Sequence, residues 1–345
     1  MVRIHVIGRV SPPLPAAKET LMHPTLPGIH HVTAIAGAPQ RSIDFYVGVL
    51  GLRMVKQTVN FDDPERYHLY FGNTEGAPGT LLTFFSWPDG TRGRQGIGQF
   101  ATISLAIPEG ALGFWLERLV RFGVAHDHPI RRFGEQVVAL KDPDGIPLEL
   151  VASPAAGQVP GSALGDVPAD HAIRRVHGVE LWEDDQARTE TFLTGVLGFR
   201  VDQAEGNRTR LTTGDGGPGT YVELVRATDF WGSVEGVGVI HHVAWRTADD
   251  EEEAVWRTFL TGRDLRVTPV RDRQYFRSIY FNEPGGALFE IATDPPGFAI
   301  DEAPAELGTH LKLPPQYEGR RAALERSLEP IYPPGTPSPT EMSGP

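Results

Sequence analysis

The sequence predicts an α+β protein built from four βαβββ modules, and three observations carry that prediction. A strand, a helix and then several strands recur in the same order four times, in units of roughly 50–60 residues. Val49-Leu50-Gly51-Leu52-Arg53 returns in frame as Val196-Leu197-Gly198-Phe199-Arg200. The turn and strand Asp142-Pro143-Asp144-Gly145-Ile146-Pro147-Leu148-Glu149 returns, one residue longer, as Asn282-Glu283-Pro284-Gly285-Gly286-Ala287-Leu288-Phe289-Glu290.

The first copy opens on an apolar, β-prone stretch at 28–35. A helix follows at 42–51, with Asp44 near its start, and then strands at 67–71 and 80–85 separated by a Gly-rich turn. The second copy places a strand at 100–107, a helix at 111–122, and strands at 137–140 and 148–152 around the turn Asp142-Pro143-Asp144-Gly145. The third runs from a strand at 176–181 through a helix at 186–195 to a last strand at 221–225, entered by the glycine-rich turn 214–219. That turn lacks the Gly-Lys-Ser/Thr ending of a phosphate loop and lies between strands, so it reads as a hairpin. The fourth has a strand at 239–245 and a helix at 249–260, with Thr247 as its cap and acids in its first turn. Strands at 277–281 and 287–292 flank Pro284-Gly285-Gly286. The organisation expected is a flexible arm at 1–25, with Met22 as an alternative start, modules one and two at 26–152, and a linker at 153–174. Modules three and four then occupy 175–294, and a C-terminal tail fills 295–345, irregular from 303 except for an amphipathic stretch near 320–328 and disordered at 333–339.

Composition excludes several classes of function. The chain has 345 residues, 32 Lys+Arg against 44 Asp+Glu, and a formal net charge of -12. Such an acidic protein is a poor ligand for phosphate backbones or anionic membranes, so neither nucleic acid nor membrane is an expected partner. It has no cysteine, which removes disulfide scaffolds, thiolate metal sites and cysteine nucleophiles. No apolar run reaches the roughly 18 residues of a membrane span, and no apolar signal core follows the start. The expected location is the cytoplasm.

The chemistry concentrates in histidine. Of twelve histidines, four form two pairs at the same place in copies one and four: Ile29-His30-His31-Val32 and Ile240-His241-His242-Val243. Side chains of a strand alternate between faces, so one member of each pair is expected to face a common site. Glu290 closes copy four between Phe289 and Ile291, and a carboxylate there costs heavily unless paired or bound to metal. Two histidines and one carboxylate on one face form a triad that holds Fe(II) and leaves positions open for substrate and O2. Counting outward from a three-residue hairpin loop at 284–286, Tyr280 opposes Glu290 on the same face, where a phenol orients substrate or carries its proton. No Gly-x-Ser-x-Gly elbow is present.

The fourfold repeat with this placement of histidines and glutamate resembles the vicinal oxygen chelate superfamily. The paired His-His-Val motifs are similar to those of its hydroquinone ring-cleaving dioxygenases. So are Tyr67-His68-Leu69-Tyr70-Phe71, Arg273-Gln274-Tyr275-Phe276-Arg277-Ser278-Ile279-Tyr280-Phe281 and the tail motif Leu311-Lys312-Leu313-Pro314-Pro315-Gln316-Tyr317-Glu318-Gly319-Arg320. The resemblance spans about 26–331 and implies two half-barrel pairs of modules. It also implies that His31, His242 and Glu290 are the metal ligands, and it brings Arg273 into the pocket. His30 and His241 are then outer donors or general bases. His68, His126, His128 and His177 read as structural or exposed, and His310 stands beside the tail motif.

The function implied is an Fe(II)-dependent extradiol-type dioxygenase, with Mn(II) as the alternative metal. It would open hydroquinone rings in aromatic hydrocarbon catabolism, with a small aromatic substrate and O2 as partners and a homo-oligomer left open. A catechol dioxygenase, a glyoxalase-like metal isomerase and a metal-free aromatic-binding protein are the other readings on the same fold. In the superfamily two modules build one site, each offering a first-strand and a last-strand position. Those positions are His31 and Thr83, Thr102 and Glu149, Gly178 and Glu223, and His242 and Glu290. Only copies one and four together supply two histidines and a glutamate. The expectation is that they close around one metal, that the middle pair forms a vacant structural half, and that the tail from about Leu307 covers the site.

Overall fold

The computed structural model of the chain describes residues 25–334. The expected arm at 1–25, with Met22, lies outside the described residues apart from Thr25, and so does the stretch 333–339 from Gly335 onward. Module one contains β1 (Ile29–Ala36), α1 (Pro39–Ile43), β2 (Arg53–Val59), β3 (Tyr67–Gly72) and β4 (Leu81–Ser86). Module two contains β5 (Gln99–Pro108), α2 (Leu112–Arg121), β6 (Ile130–Arg132), β7 (Glu135–Lys141) and β8 (Pro147–Ser153). Module three contains β9 (Arg175–Glu183), α3 (Gln186–Gly195), β10 (Arg200–Glu205), β11 (Arg208–Thr212) and β12 (Tyr221–Arg226). Module four contains β13 (Val239–Thr247), α4 (Asp250–Thr261), β14 (Arg271–Asp272), β15 (Arg277–Asn282) and β16 (Leu288–Thr293), and α5 (Arg321–Ser327) lies in the tail.

Two helices differ from expectation. The first begins earlier, at Pro39, whose fixed φ suits the first helical turn. It widens into a π-helical turn over Asp44–Val49, and Gly51 at φ 66° ends it. The cap of α4 is Asp249, not Thr247. The Asp249 carboxylate accepts from the Glu251 and Glu252 amides. Thr247 donates instead to the Glu252 carboxylate, which reaches back to the Ala248 amide.

The strands form two eight-stranded sheets. One runs β14-β15-β16-β13-β1-β4-β3-β2 and the other β10-β11-β12-β9-β5-β8-β7-β6. Modules one and four thus share one half-barrel through the antiparallel β1–β13 seam, and modules two and three share the other through β5–β9. Alternation gives the first sheet two faces, apart from the β1–β13 seam. Its outer face sends Phe71, Phe84, Trp245, Phe281, Phe289 and Ile291 into the main core with the helices. Tyr46 of the π-helical turn stacks on Phe71, and Phe192 of α3 meets Phe281. Each buried aromatic of this kind contributes roughly 1.5–3 kcal/mol. Its inner face carries a separate cluster with Val55, Tyr70, Leu81, Tyr275, Phe276 and Phe298.

The tail closes this half-barrel. Lys56 of β2, with no exposed surface, bonds the Phe298 carbonyl at 3.1 Å, Asp301 at 2.6 Å and Glu302. Asp301 also accepts from Gln274 and Tyr275 beside β15. Gln57 donates to the Gly308 carbonyl and accepts from the Lys312 amide. Residues 298–312 therefore strap one sheet edge to the other, and Leu307 sits in the inner cluster.

The middle half-barrel carries a cluster of ion pairs at the corresponding positions. Arg132 donates two hydrogen bonds to the Glu149 carboxylate, at 2.8 and 2.5 Å, and lies 3.0 Å from Glu223. Arg210 pairs with Glu223 and Glu135 at 2.9 Å each, Glu135 meets His177 at 3.2 Å, and Arg208 pairs with Glu180. Burial disfavours the Glu149 charge, but the Arg132 guanidinium holds its pKa below the ordinary value. Two glutamates without histidines would repel in this site, and arginines fill the space instead.

Candidate metal centre

The centre lies on the inner face of the first sheet. His31 comes from β1, His242 from β13 and Glu290 from β16. One donor atom of each falls within 4.8 Å of the others, the one such group among the described residues. His31 Nε2 is 3.3 Å and His242 Nε2 is 2.8 Å from the same oxygen of Glu290. All three are buried, at 2%, 3% and 0% exposure.

Irregular pairing explains how adjacent histidines reach one site. Along the β1–β13 seam Ile29 opposes Trp245 and His31 opposes Ala244, which leaves His30 as an extra residue. Thr33 opposes His242 and Ala34 opposes Ile240, so His241 is the extra residue on the other strand. Two bulges, one per strand, break the alternation that would turn His30 and His241 away. Of each pair, only the second member, His31 or His242, offers a donor atom to the three-residue group, and the bulges keep His30 and His241 beside it. His30 Nδ1 meets His31 Nδ1 at 2.9 Å, and His241 Nδ1 meets His242 Nδ1 at 2.6 Å. In each pair the second ring keeps its Nε2 toward Glu290 while its Nδ1 meets the Nδ1 of the first ring. Such a partner fixes the tautomer and ring angle of a metal-binding imidazole.

The electrostatics fit a cation. Neither Glu290 oxygen has an aligned hydrogen-bond donor, although the residue has no exposed surface. Burial opposes its ionisation, yet His31 and His242 hold its pKa well below the ordinary carboxylate value. Burial keeps the outer histidines neutral: His30 is held well below the imidazole value, and His241 falls to about 3 with help from His242. A buried carboxylate with orphaned oxygens between two imidazole nitrogens suits a divalent cation, and such an ion answers the desolvation that the protein groups leave unanswered.

Tyr280 opposes Glu290 across the β15–β16 pair, as the hairpin count predicted. Its hydroxyl accepts from Arg273 Nε at 3.3 Å and Ser278 Oγ at 3.1 Å. Burial and Glu290 together raise its pKa. Arg273 lies beside Phe61 and 3.4 Å from Asp62. Burial works against its charge, but Tyr280 and Asp62 raise its pKa overall.

Other residues at the centre had no role assigned there by sequence. Phe276 packs on His30 and His31 at centroid distances of 5.2 and 5.0 Å. Phe85 packs on His68 at 4.5 Å and on His241 at 5.5 Å. His68 is buried beside this wall, its Nε2 2.9 Å from Thr83 Oγ1 and its Nδ1 3.0 Å from the Tyr70 hydroxyl. Phe276, His68 and Tyr70 lay within the quoted motifs, and alternation from Tyr280 and Thr83 would have placed them. His128 and His310 are exposed, His126 is half-buried, and His177 belongs to the middle sheet.

Comparison with known proteins agrees with this arrangement. Residues 28–150 and 175–291 match the family model described as the Glyoxalase/Bleomycin resistance protein/Dioxygenase superfamily. The chain is 46% identical over 315 residues to the Bacillus subtilis protein named "Putative ring-cleaving dioxygenase MhqO", covering 91% of this chain and 98% of that one. It is 34% identical to a chlorohydroquinone/hydroquinone 1,2-dioxygenase of Sphingobium indicum, covering 87% of this chain and 95% of that one. A solved structure titled as a putative dioxygenase from Bacillus subtilis superposes with a TM-score of 0.84 at 44% identity, over 90% of this chain and 98% of the other. No helix among the described residues is long and apolar enough to cross a membrane.

Proposed function

We propose that this chain, which belongs to the glyoxalase/bleomycin resistance protein/dioxygenase superfamily, is an Fe(II)-dependent extradiol-type dioxygenase of hydroquinones. Its class is that of the ring-cleaving dioxygenases, oxidoreductases that place both atoms of O2 in the product. The observation that carries the metal reading is Glu290, fully buried between the Nε2 atoms of His31 and His242 with no aligned hydrogen bond to either oxygen. Two imidazoles and one carboxylate suit Fe(II), with Mn(II) second, and leave coordination positions free. When bound, the ion acidifies a coordinated hydroxyl and lets the ring and O2 exchange electrons.

The chain's own groups do the rest. His30 and His241 hold the ligand rings by Nδ1 and so fix the angle at which each ring meets the centre. Tyr280, backed by Arg273 and Ser278, presents a hydroxyl toward the substrate oxygen beside Glu290. Phe85 and Phe276 form an apolar pocket wall for an aromatic ring, and the strap at 298–312 excludes water. The ring bond beside the hydroxylated carbon opens to an acyl or semialdehyde acid. A metal-free binding protein would have no use for the orphaned Glu290, and the glyoxalase-like isomerase draws on the shared fold alone.

The test is anaerobic reconstitution with Fe(II), then oxygen uptake with hydroquinones, catechols and hemithioacetals in parallel. Uptake of about one O2 per ring with hydroquinones is expected from the triad chemistry. Turnover of catechols alone, or isomerisation without oxygen uptake, rejects the reading.

A further inference from the structure

The internal repeat places a second phenol across the centre from Tyr280. On β15 and β16, Tyr280 pairs with Glu290, and on β3 and β4, Tyr70 pairs with Thr83. Along the seam His31 corresponds to His242 and Thr33 to Ala244, because each histidine opposes the other's second neighbour. Thr33 then opposes Thr83 as Ala244 opposes Glu290. Tyr70 is therefore the module-one counterpart of Tyr280, His68 of Ser278, and Thr83 of the carboxylate Glu290. Each tyrosine bonds the polar residue two positions before it: Ser278 Oγ is 3.1 Å from the Tyr280 hydroxyl, and His68 Nδ1 is 3.0 Å from that of Tyr70.

The two flanks differ in charge. Around Tyr280 stand the Arg273 cation and the Glu290 anion. Around Tyr70 runs a neutral chain from the Tyr70 hydroxyl to His68 Nδ1, from His68 Nε2 to Thr83 Oγ1 at 2.9 Å, and from Thr83 to Thr33 Oγ1 at 2.8 Å. Burial keeps His68 neutral, aided by His31 and Arg273, and burial also keeps the Tyr70 phenol protonated. If Tyr70 donates to His68, its oxygen lone pairs remain available as an acceptor on the inner face. Both tyrosines stand two strands from their module's histidine strand, at roughly 4.8 Å per strand. Thr83, shorter than a glutamate, leaves room on the module-one side, and Phe85 and Phe276 wall that side with rings.

We propose that Tyr70, held by His68 and Thr83, is a specificity-determining residue that receives the second hydroxyl of a para-diol whose first hydroxyl lies at the His31–His242–Glu290 centre. This rests on the hydroquinone reading above. It assigns discrimination between para-diols and single phenols or catechols to the module-one flank, since a catechol has no oxygen on the far side of its ring.

The experiment is anaerobic calorimetry of the Fe(II)-loaded protein with hydroquinone, phenol and catechol, using wild type, Tyr70→Phe and Thr83→Val. Wild type should bind hydroquinone about 10- to 100-fold more tightly than phenol, the range set by one buried hydroxyl partner. Tyr70→Phe should reduce that ratio to about twofold with phenol affinity unchanged, and Thr83→Val should reduce it partly. Unchanged phenol binding shows that the variant still folds and still holds its metal. A Tyr70→Phe protein that keeps the wild-type ratio overturns the proposal and leaves the hydroquinone reading standing. One that loses phenol binding equally makes Tyr70 structural and also overturns it. Wild type that binds catechol best, with no preference for hydroquinone over phenol, removes the hydroquinone reading and this proposal together.

Discussion

A carboxylate with no exposed surface and no aligned donor destabilises the empty protein, and Glu290 is such a group. Replacing His31, His242 or Glu290 by Ala should therefore abolish iron binding while the fold survives. Metal analysis after reconstitution checks this, and full iron content in any of the three contradicts the assignment. His30→Ala or His241→Ala should keep the site but lower iron affinity about 10- to 100-fold, because each loses the partner that holds its ligand ring. A competition titration against a chelator measures it. At this scale the ligand set was legible, because a doubled His-His-Val at equivalent repeat positions has few other uses. The bulges that set His30 and His241 beside the ligand rings were not, because bulges depend on how two distant strands pair. Tyr70 and His68 were visible as a motif, but their place needed the register of β3 on β4.

At the scale of elements, the strands and helices richest in apolar residues were readable, and the polar ones were not. β2 was missed because Lys56 and Gln57 interrupt its pattern, and both turn out to anchor the strap. β10 was missed because all its residues are exposed. Lys56→Met should destabilise the protein by about 3–5 kcal/mol, since it strands the buried Glu302 carboxylate. Thermal unfolding reads this, and an unchanged Tm would mean that the strap is held by other contacts. The hairpin that carries Tyr280 and Glu290 is tied by Glu283, which accepts from Thr189 Oγ1 at 2.8 Å and from the Gly285 and Ala287 amides. Glu183 lies against the same turn with both oxygens unpartnered. Burial, with Glu283 and Asp184 nearby, pushes its pKa up to about 9, and Arg188 only partly offsets this. The folded state thus keeps a proton that the unfolded chain loses near 4.5, so stability falls as pH rises between those values. Glu183→Gln should stabilise the protein on the order of 1–3 kcal/mol at pH 8 and little at pH 5. Equal effects at both values would contradict a raised Glu183 carboxyl.

For the whole molecule, the pairing of modules one and four was legible from four pairs of repeat positions once the superfamily's two-module site was assumed. The packing of the middle half was not, because Arg132, Arg208 and Arg210 lie outside those positions. Since each sheet joins strands from both halves of the sequence, a cut in the exposed stretch 162–165 should leave one particle with its iron. Size-exclusion chromatography with metal analysis checks that, and fragments that separate and still bind iron would contradict the shared sheet. The centre itself is tested most directly by anomalous diffraction at the iron edge from crystals reconstituted without oxygen. One peak is expected, about 2.0–2.2 Å from His31 Nε2, His242 Nε2 and a Glu290 oxygen. A peak at the Glu149–Glu223 cluster of the middle sheet, or density that leaves any of the three uncoordinated, would contradict a single metal held between the first and last modules.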